Sequence, residues 1–282
     1  MFMRPVHRLL LIFIAALLLP LHSYALDLKI VPGEVVPGDV FILRVKKNDP
    51  SPAGAVAEFN GKRIDLYTSG DDLIALIPVT LDTAPGKYSV IARHGGEELA
   101  ASVEVKDHKF KTVKLTLPEG KVTLSPENTR RVEKEYLLQQ EIWRIDNQKI
   151  WDGEFVFPTD TKVSEKFGVK RIMNEKKTSI HRGIDVKGKS GTPVRAINSG
   201  KVVLQEDLFY GGHTLVIDHG MGLLSVYMHL SKFNVKDGDE VLKGDLIGFV
   251  GMTGRATGPH LHMSVKLKGV SVNPESLFKL RL

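Results

Sequence analysis

The eight residues His260–Leu267 (HLHMSVKL) alternate without a break. Successive side chains of a β-strand point to opposite faces, whereas a helix repeats every 3.6 residues, so this stretch can only be regular as a strand. Leu261, Met263, Val265 and Leu267 then share one face, and His260, His262, Ser264 and Lys266 the other. Similar short stretches, GKVVLQE, HTLVIDHG, LLSVYMHL and DLIGFVG, fill the C-terminal half between glycine-rich turns. The expected fold class is mostly β, with a largely antiparallel C-terminal sheet. At 42% hydrophobic and 26% charged residues, the composition excludes a disordered, collagen-like or multi-span membrane chain. Cysteine is absent, which removes disulfides, thiolate metal sites and cysteine nucleophiles together.

The pattern divides the 282 residues into four segments. Arg4 and Arg8 precede an apolar run, Leu9 to Leu21, and Ser23-Tyr24-Ala25 supplies small residues for cleavage, so residues 1–25 read as a signal peptide. Removing them takes two arginines and no acids, and the formal charge falls from +6 to +4. Residues 26–106 read as an immunoglobulin-like β-sandwich acting as a spacer or interaction module. Asn60-Gly61 and Gly95-Gly96 mark its hairpins, because both turn positions favour positive φ. Residues 107–152 form a linker with a helix that begins at Ser125-Pro126-Glu127, where a capping hydroxyl, a proline and an acid coincide. Val132, Tyr136 and Trp143, widened by Leu137, Leu138 and Ile142, predict a core-facing stripe on it. Residues 153–282 form the second β-unit. No basic arm with interleaved aromatics is present, which argues against nucleic acid as a partner.

Chemistry concentrates in the histidines of this last segment. His260 and His262 project from one strand face. A second strand places Leu224, Val226, Met228 and Leu230 on one side and Ser225, Tyr227 and His229 on the other. In His181-Arg182-Gly183-Ile184-Asp185-Val186, Ile184 and Val186 take the apolar side and leave Asp185 projecting with His181 nearby. Convergent polar groups cost free energy unless something pairs with them, and a divalent metal answers that need. Neutral imidazole and carboxylate suit zinc, and three protein ligands with an open position are the pattern of a catalytic site. His213, in a Gly-Gly turn, and His219, at a strand end, read as structural.

The stretches IHRGID (180–185), GTPVRAINSGKV (191–202), VIDHG (216–220), VYMHLS (226–231) and GFVGMTGRATGPHLH (248–262) resemble the LytM/lysostaphin-type zinc metallopeptidases, which cut peptides in peptidoglycan. The resemblance covers about Phe155 to Phe278, and the N-terminal part is similar to the β-domain of Gram-negative envelope members. It implies one zinc per chain, held by His181, Asp185 and His262, with His229 and His260 lining the reaction centre. No H-E-x-x-H is present, so a histidine must take the proton: His260 as general base, with His229 on the tetrahedral oxygen, or the two in exchanged roles. It further implies a periplasmic or envelope endopeptidase acting on peptidoglycan stem peptides or cross-links, D-Ala–diaminopimelate foremost, with an envelope regulatory partner on the N-terminal β-domain. The alternative is a catalytically inactive envelope regulator that activates another cell-wall hydrolase.

Overall fold

The computed structural model describes residues 27–46, 54–94, 96–116, 119 and 123–281; the expected signal peptide lies outside them. Nine strands build the N-terminal unit: β1 (Leu28–Val31), β2 (Glu34–Val35), β3 (Val40–Lys46), β4 (Val56–Phe59), β5 (Lys62–Asp65), β6 (Tyr67–Ser69), β7 (Asp72–Pro78), β8 (Gly86–His94) and β9 (Glu97–Val105). They form two sheets, ordered β1-β3-β7-β6 and β2-β9-β8-β4-β5. The β4–β5 hairpin turns at Asn60 (φ 50°) and Gly61 (φ 72°), the positive pair that the dipeptide predicts.

Strands β3 and β7 explain themselves by burial on both faces. Phe41, Leu43, Val45, Leu73, Ala75 and Ile77 point into the sandwich, where Phe41 meets Phe59 edge-on at 5.2 Å between ring centroids. The alternate residues Val40, Ile42, Ile74 and Leu76 point the other way and join the core of the C-terminal unit. Their near-continuous apolar runs, VFILRV and LIALI, are what a sheet covered on both sides requires. Each such side chain is worth on the order of 1.5–3 kcal/mol when removed from water. The two units therefore share one hydrophobic core. At its edge, Gly38 (φ +95°) passes so close to Phe167 that an added Cβ would lie 2.4 Å from the ring.

The linker is equally engaged. Strand β10 (Thr112–Leu115) runs parallel to β12 (Lys170–Met173), which pairs in turn with β13 (Lys177–Ile180). Helix α1 (Pro126–Ile142) starts where expected: Ser125 Oγ accepts the Asn128 N–H at 3.2 Å. Only the end of its stripe meets a core, where Ile142 and the partly buried Trp143 join a cluster with Leu204, Leu208, Val216, Leu224 and Val226. Ile142 alone is buried, while Tyr136, Leu137 and Leu138 stay 58%, 65% and 40% exposed. Polar contacts hold the middle of the helix instead. The Glu135 carboxylate accepts the Phe209 N–H at 2.9 Å, and Arg131 donates to the Asp207 carbonyl at 2.6 Å and to Glu135 at 2.7 Å.

The C-terminal unit is a ten-stranded sheet built from β11 (Val163–Glu165), β14 (Ile184–Lys187), β15 (Pro193–Arg195), β16 (Gly200–Leu208), β17 (Gly212–Asp218), β18 (Leu223–Phe233), β19 (Glu240–Val241), β20 (Leu246–Val250), β21 (His260–Leu267) and β22 (Val270–Val272), closed by the short α2 (Pro274–Leu277). Its main path runs β11-β14-β21-β18-β17-β16-β19, and every pairing in it is antiparallel. Leu261, Met263, Val265 and Leu267 are wholly buried, as alternation requires. No described helix is long and apolar enough to cross a membrane.

Strand β18 corrects the simple alternation argument. Ser225 and Tyr227 do not form a polar face; both are fully buried. They belong to a hydrogen-bonded chain under the sheet. The Ile197 N–H donates to Tyr227 Oη (3.1 Å), Tyr227 Oη lies 3.1 Å from Ser225 Oγ, and Ser225 Oγ lies 2.7 Å from His219 Nε2. His219 Nδ1–H donates to the Ser199 carbonyl at 2.8 Å, so Nε2 is left to accept. Burial pushes the His219 imidazole down to about 4. The unfolded chain, with an ordinary histidine near 6.5, binds the proton first, so stability is full above that value and is lost as pH falls toward 4. This residue alone accounts for about 2 kcal/mol between pH 7 and pH 5. Denaturant melts at the two pH values should show a slope that flattens by that amount in His219→Asn; an unchanged slope would refute the neutral buried imidazole.

Candidate active site

Pairing register brings the first three polar groups together. In the β14–β21 ladder Asp185 stands opposite His262 and Ile184 opposite Met263, so Asp185 and His262 share the face away from the core. His181 precedes β14 and is buried, at 2% exposure. Between them Gly183 lets the chain pass: a Cβ there would lie 2.4 Å from the Met263 carbonyl and 2.8 Å from His262 Nε2.

Three ligand atoms converge as a result. Asp185 Oδ1 lies 3.0 Å from His181 Nε2 and 2.8 Å from His262 Nδ1, and the two nitrogens are 3.0 Å apart. The far nitrogen of each ring carries the proton. His181 Nδ1–H donates to the Lys166 carbonyl at 2.9 Å, and His262 Nε2–H donates to Ser264 Oγ at 2.8 Å. Two bare imidazole lone pairs and a carboxylate oxygen thus face one another, an arrangement that repels unless a cation sits among them. Donors about 2 Å from a tetrahedral ion would stand roughly 3.3 Å apart, close to these separations. The residues present therefore fit a single divalent metal, and among the described residues this is the one group of three such donors found within 4.8 Å of each other.

A further tier holds the carboxylate. Arg171 Nη2 donates to Asp185 Oδ2 at 2.6 Å and Arg171 Nε to Glu165 Oε2 at 2.6 Å, which leaves Oδ1 for the metal. Burial pushes the Asp185 carboxyl up, but the two imidazoles set against it outweigh burial and hold the group well below the usual carboxylate range.

The other two histidines complete the constellation. His229 faces His260 at 4.8 Å and His262 at 6.1 Å between ring centroids. Strict alternation would send His229 to the core side with Tyr227, because Tyr227 pairs with buried Met263. A bulge intervenes: β17 and β18 pair Leu215 with Tyr227 but His213 with Leu230, one residue out of step. His229 itself adopts φ +63°, left-handed and uncommon for a non-glycine residue, and its side chain emerges on the metal side. His229 Nδ1–H donates to the Thr253 carbonyl at 2.9 Å and His260 Nδ1–H to the Gly258 carbonyl at 2.8 Å, so each presents a bare Nε2. His260 Nε2 lies 3.8 Å from Asp185 Oδ1. Burial, reinforced by the His262 and His260 rings, pulls His229 down to about 4 and keeps it neutral at pH 7.

The five residues sit in a groove of about 360 Å³ on one side, walled by Val132, Glu135, Tyr136 and Gln139 of α1, and in a smaller cavity reaching Thr257 on the other. A roomier cleft of about 450 Å³ between β5 and Lys268–Val270 holds no histidine. His181, Asp185, His229, His260 and His262 are thus brought together. His213 and His219 lie elsewhere, His213 against Phe233 and His219 in the buried chain. Sequence reasoning missed Arg171, Glu165 and Arg255, as well as the Lys166, Thr253 and Gly258 carbonyls. Only Ser264 carried a signal, two residues beyond His262 on the polar face.

Residues 179–274 match Peptidase family M23. DD-carboxypeptidase/endopeptidase Mpg of Neisseria meningitidis is 39% identical over 117 residues, 42% of this chain and 27% of that protein. Peptidoglycan DD-endopeptidase ShyA of Vibrio cholerae is 40% identical over 120 residues, 42% of this chain and 28% of that protein. The matches therefore span little more than a quarter of these curated relatives. A crystal structure of a candidate peptidase M23 from Pseudomonas aeruginosa is 31% identical and superposes with a TM-score of 0.66, covering 86% of this chain and 94% of that one. That likeness extends through the sandwich and linker as well as the site. This chain belongs to peptidase family M23.

Proposed function

We propose that this protein is a zinc-dependent endopeptidase that hydrolyses peptide cross-links of peptidoglycan. The observation that carries the reading is the convergence of His181 Nε2, Asp185 Oδ1 and His262 Nδ1 beside two histidines whose bare Nε2 atoms face the same space. Two imidazoles and one carboxylate, with no cysteine in the chain, suit zinc with a position left open. When bound, zinc supplies Lewis acidity toward water and the scissile carbonyl. His260, nearest the ligand set, accepts the proton from the attacking water. His229, fixed by Thr253, serves the reacting oxygen; both rings accept at rest, and whichever takes the proton becomes a donor. The Arg171 contact keeps Asp185 ionised and oriented. The substrate assignment follows the named activities of the Neisseria and Vibrio relatives, and the bond we propose is D-Ala–diaminopimelate.

The same reading places the mature chain, without residues 1–25, in the periplasm or cell envelope. Its units are the β-domain 26–106, the linker 107–152 and the peptidase domain 153–282, and the β-domain is offered to an envelope regulatory partner. The test is mass spectrometry of products from defined cross-linked muropeptides. Hydrolysis at the cross-link should stop when a chelator strips the metal and return on addition of one equivalent of zinc. Cleavage indifferent to chelation, or no cleavage by the zinc-loaded protein, would overturn the assignment.

A further inference from the structure

Helix α1 brings to the reaction centre a carboxylate that no step above uses. Val132, Glu135, Tyr136 and Gln139 recur at helical spacing and line the groove beside the metal. Glu135 is turned inward, its side chain only 14% exposed. Both of its carboxylate oxygens accept the Phe209 N–H, at 3.0 and 2.9 Å. Arg131, one turn earlier, donates to Glu135 at 2.7 Å and to the Asp207 carbonyl at 2.6 Å, and its guanidinium lies 5.9 Å from the Phe209 ring centroid. The pair grips the end of β16 where the chain turns into β17.

That turn supports His229. Leu208 pairs with Gly212, so residues 209–211 make the connection. The Gly211 carbonyl accepts the His229 N–H at 2.7 Å. Thr253, whose carbonyl holds the His229 ring, packs on the same turn: a Cβ on Gly212 would lie 2.3 Å from Thr253 Oγ1. On the inner side a Cβ on Gly211 would meet Thr214 Oγ1 at 2.3 Å. Both anchors of His229, backbone and ring, therefore meet at one short segment. The histidine depends on them, because a left-handed residue other than glycine persists only where its surroundings over-determine it. Glu135 fixes that segment from the helix side.

We propose that Glu135 is a positioning residue for His229, so that the linker helix, outside the residues that match family M23, is a working part of the catalytic centre. This role rests on the endopeptidase reading and adds a residue to it. A carboxylate on a backbone N–H makes a charge-assisted bond, stronger than a neutral one, and displacing a reacting group by about 1 Å costs on the order of 10²-fold in rate. Reach decides more than charge here. Glutamine keeps an oxygen at the same distance, whereas aspartate keeps the charge and falls one methylene short.

The test uses the zinc-loaded full chain, a cross-linked muropeptide dimer as substrate, and amide hydrogen exchange followed by NMR. In Glu135→Ala the His229 amide should exchange at least tenfold faster, while the Val226 amide of the same strand stays within twofold. The kcat should fall at least fivefold, with KM within twofold and zinc at one per chain. Glu135→Asp should behave like the alanine variant and carries the same expectations if that variant fails to fold; Glu135→Gln should return both readouts to within threefold of the wild type. In a His229→Ala background, Glu135→Ala should cost less than a further twofold, since the residue it positions is gone. An unchanged His229 amide in Glu135→Ala and Glu135→Asp, or a loss of kcat equally large with and without His229, would overturn the proposal. Failure of the endopeptidase reading has another signature: the wild type cleaves no dimer, while the selective loosening of the His229 amide persists and upholds the link from helix to histidine.

Discussion

Replacing His262 with alanine is expected to take zinc from one per chain to none and hydrolysis below detection. His262 Nδ1 is one of three converging ligand atoms, 2.8 Å from Asp185 Oδ1 and 3.0 Å from His181 Nε2, in the one such group among the described residues. A structural zinc site binds with on the order of 10–16 kcal/mol shared over its ligands, so one ligand is worth roughly 3 kcal/mol, about 10²-fold in affinity. The loss should exceed this, because truncation also frees Ser264 and leaves the buried Asp185 with one imidazole fewer. Atomic absorption on the purified variant measures the effect. A His262→Ala protein that retains stoichiometric zinc would contradict the ligand assignment.

The second large effect separates chemistry from metal binding. His229→Ala and His260→Ala should each lower kcat by on the order of 10²–10³ while zinc stays at one per chain. Neither residue contributes one of the three ligand atoms, and each is anchored through Nδ1 to a backbone carbonyl that persists in the variant. Because the rings face each other at 4.8 Å and act on the same step, one on the proton and one on the reacting oxygen, the double variant should lose little more than the worse single one. Multiplicative losses, or loss of zinc in either single variant, would show that the pair does not act as one unit beside an intact metal site.

Much of the site was legible because strands obey a strict rule. The period of two in His260–Leu267 places His262 on the exposed face, and the same rule places Asp185 beside it once β14 and β21 pair. His229 reached the site by another route than the one alternation implies. Its neighbours Ser225 and Tyr227 are core residues, and a bulge with a left-handed histidine, neither visible in sequence, turns the ring outward. Arg171 and Arg255 could not be read at all, since their partners lie 14 and 45 residues away and depend on tertiary placement. Helix α1 began at its predicted cap, which is local physics, but of its predicted stripe only Ile142 and Trp143 reach a core, while Tyr136, Leu137 and Leu138 stay exposed.

The sandwich illustrates the same division. Its hairpin at Asn60-Gly61 is a two-residue event and was predictable. Its docking onto the C-terminal sheet was written more quietly, in the doubled apolar character of β3 and β7, where the alternate residues Val40, Ile42, Ile74 and Leu76 have no solvent to face. Polar contacts seal that junction: Val40 N–H donates to Ser276 Oγ at 3.1 Å, and Asn273 N–H to the Gly38 carbonyl at 2.7 Å. The unit is therefore part of the scaffold that carries α2 and, through it, β22 and β21.

The central claim is that His181, Asp185 and His262 together hold one zinc ion with a coordination position to spare. X-ray absorption at the zinc edge of the purified protein tests it directly. The account predicts a four-coordinate ion with two imidazole nitrogens near 2.0–2.1 Å and the remaining ligands oxygen. Three or more imidazoles at the metal, or purified protein that binds no zinc, would contradict it.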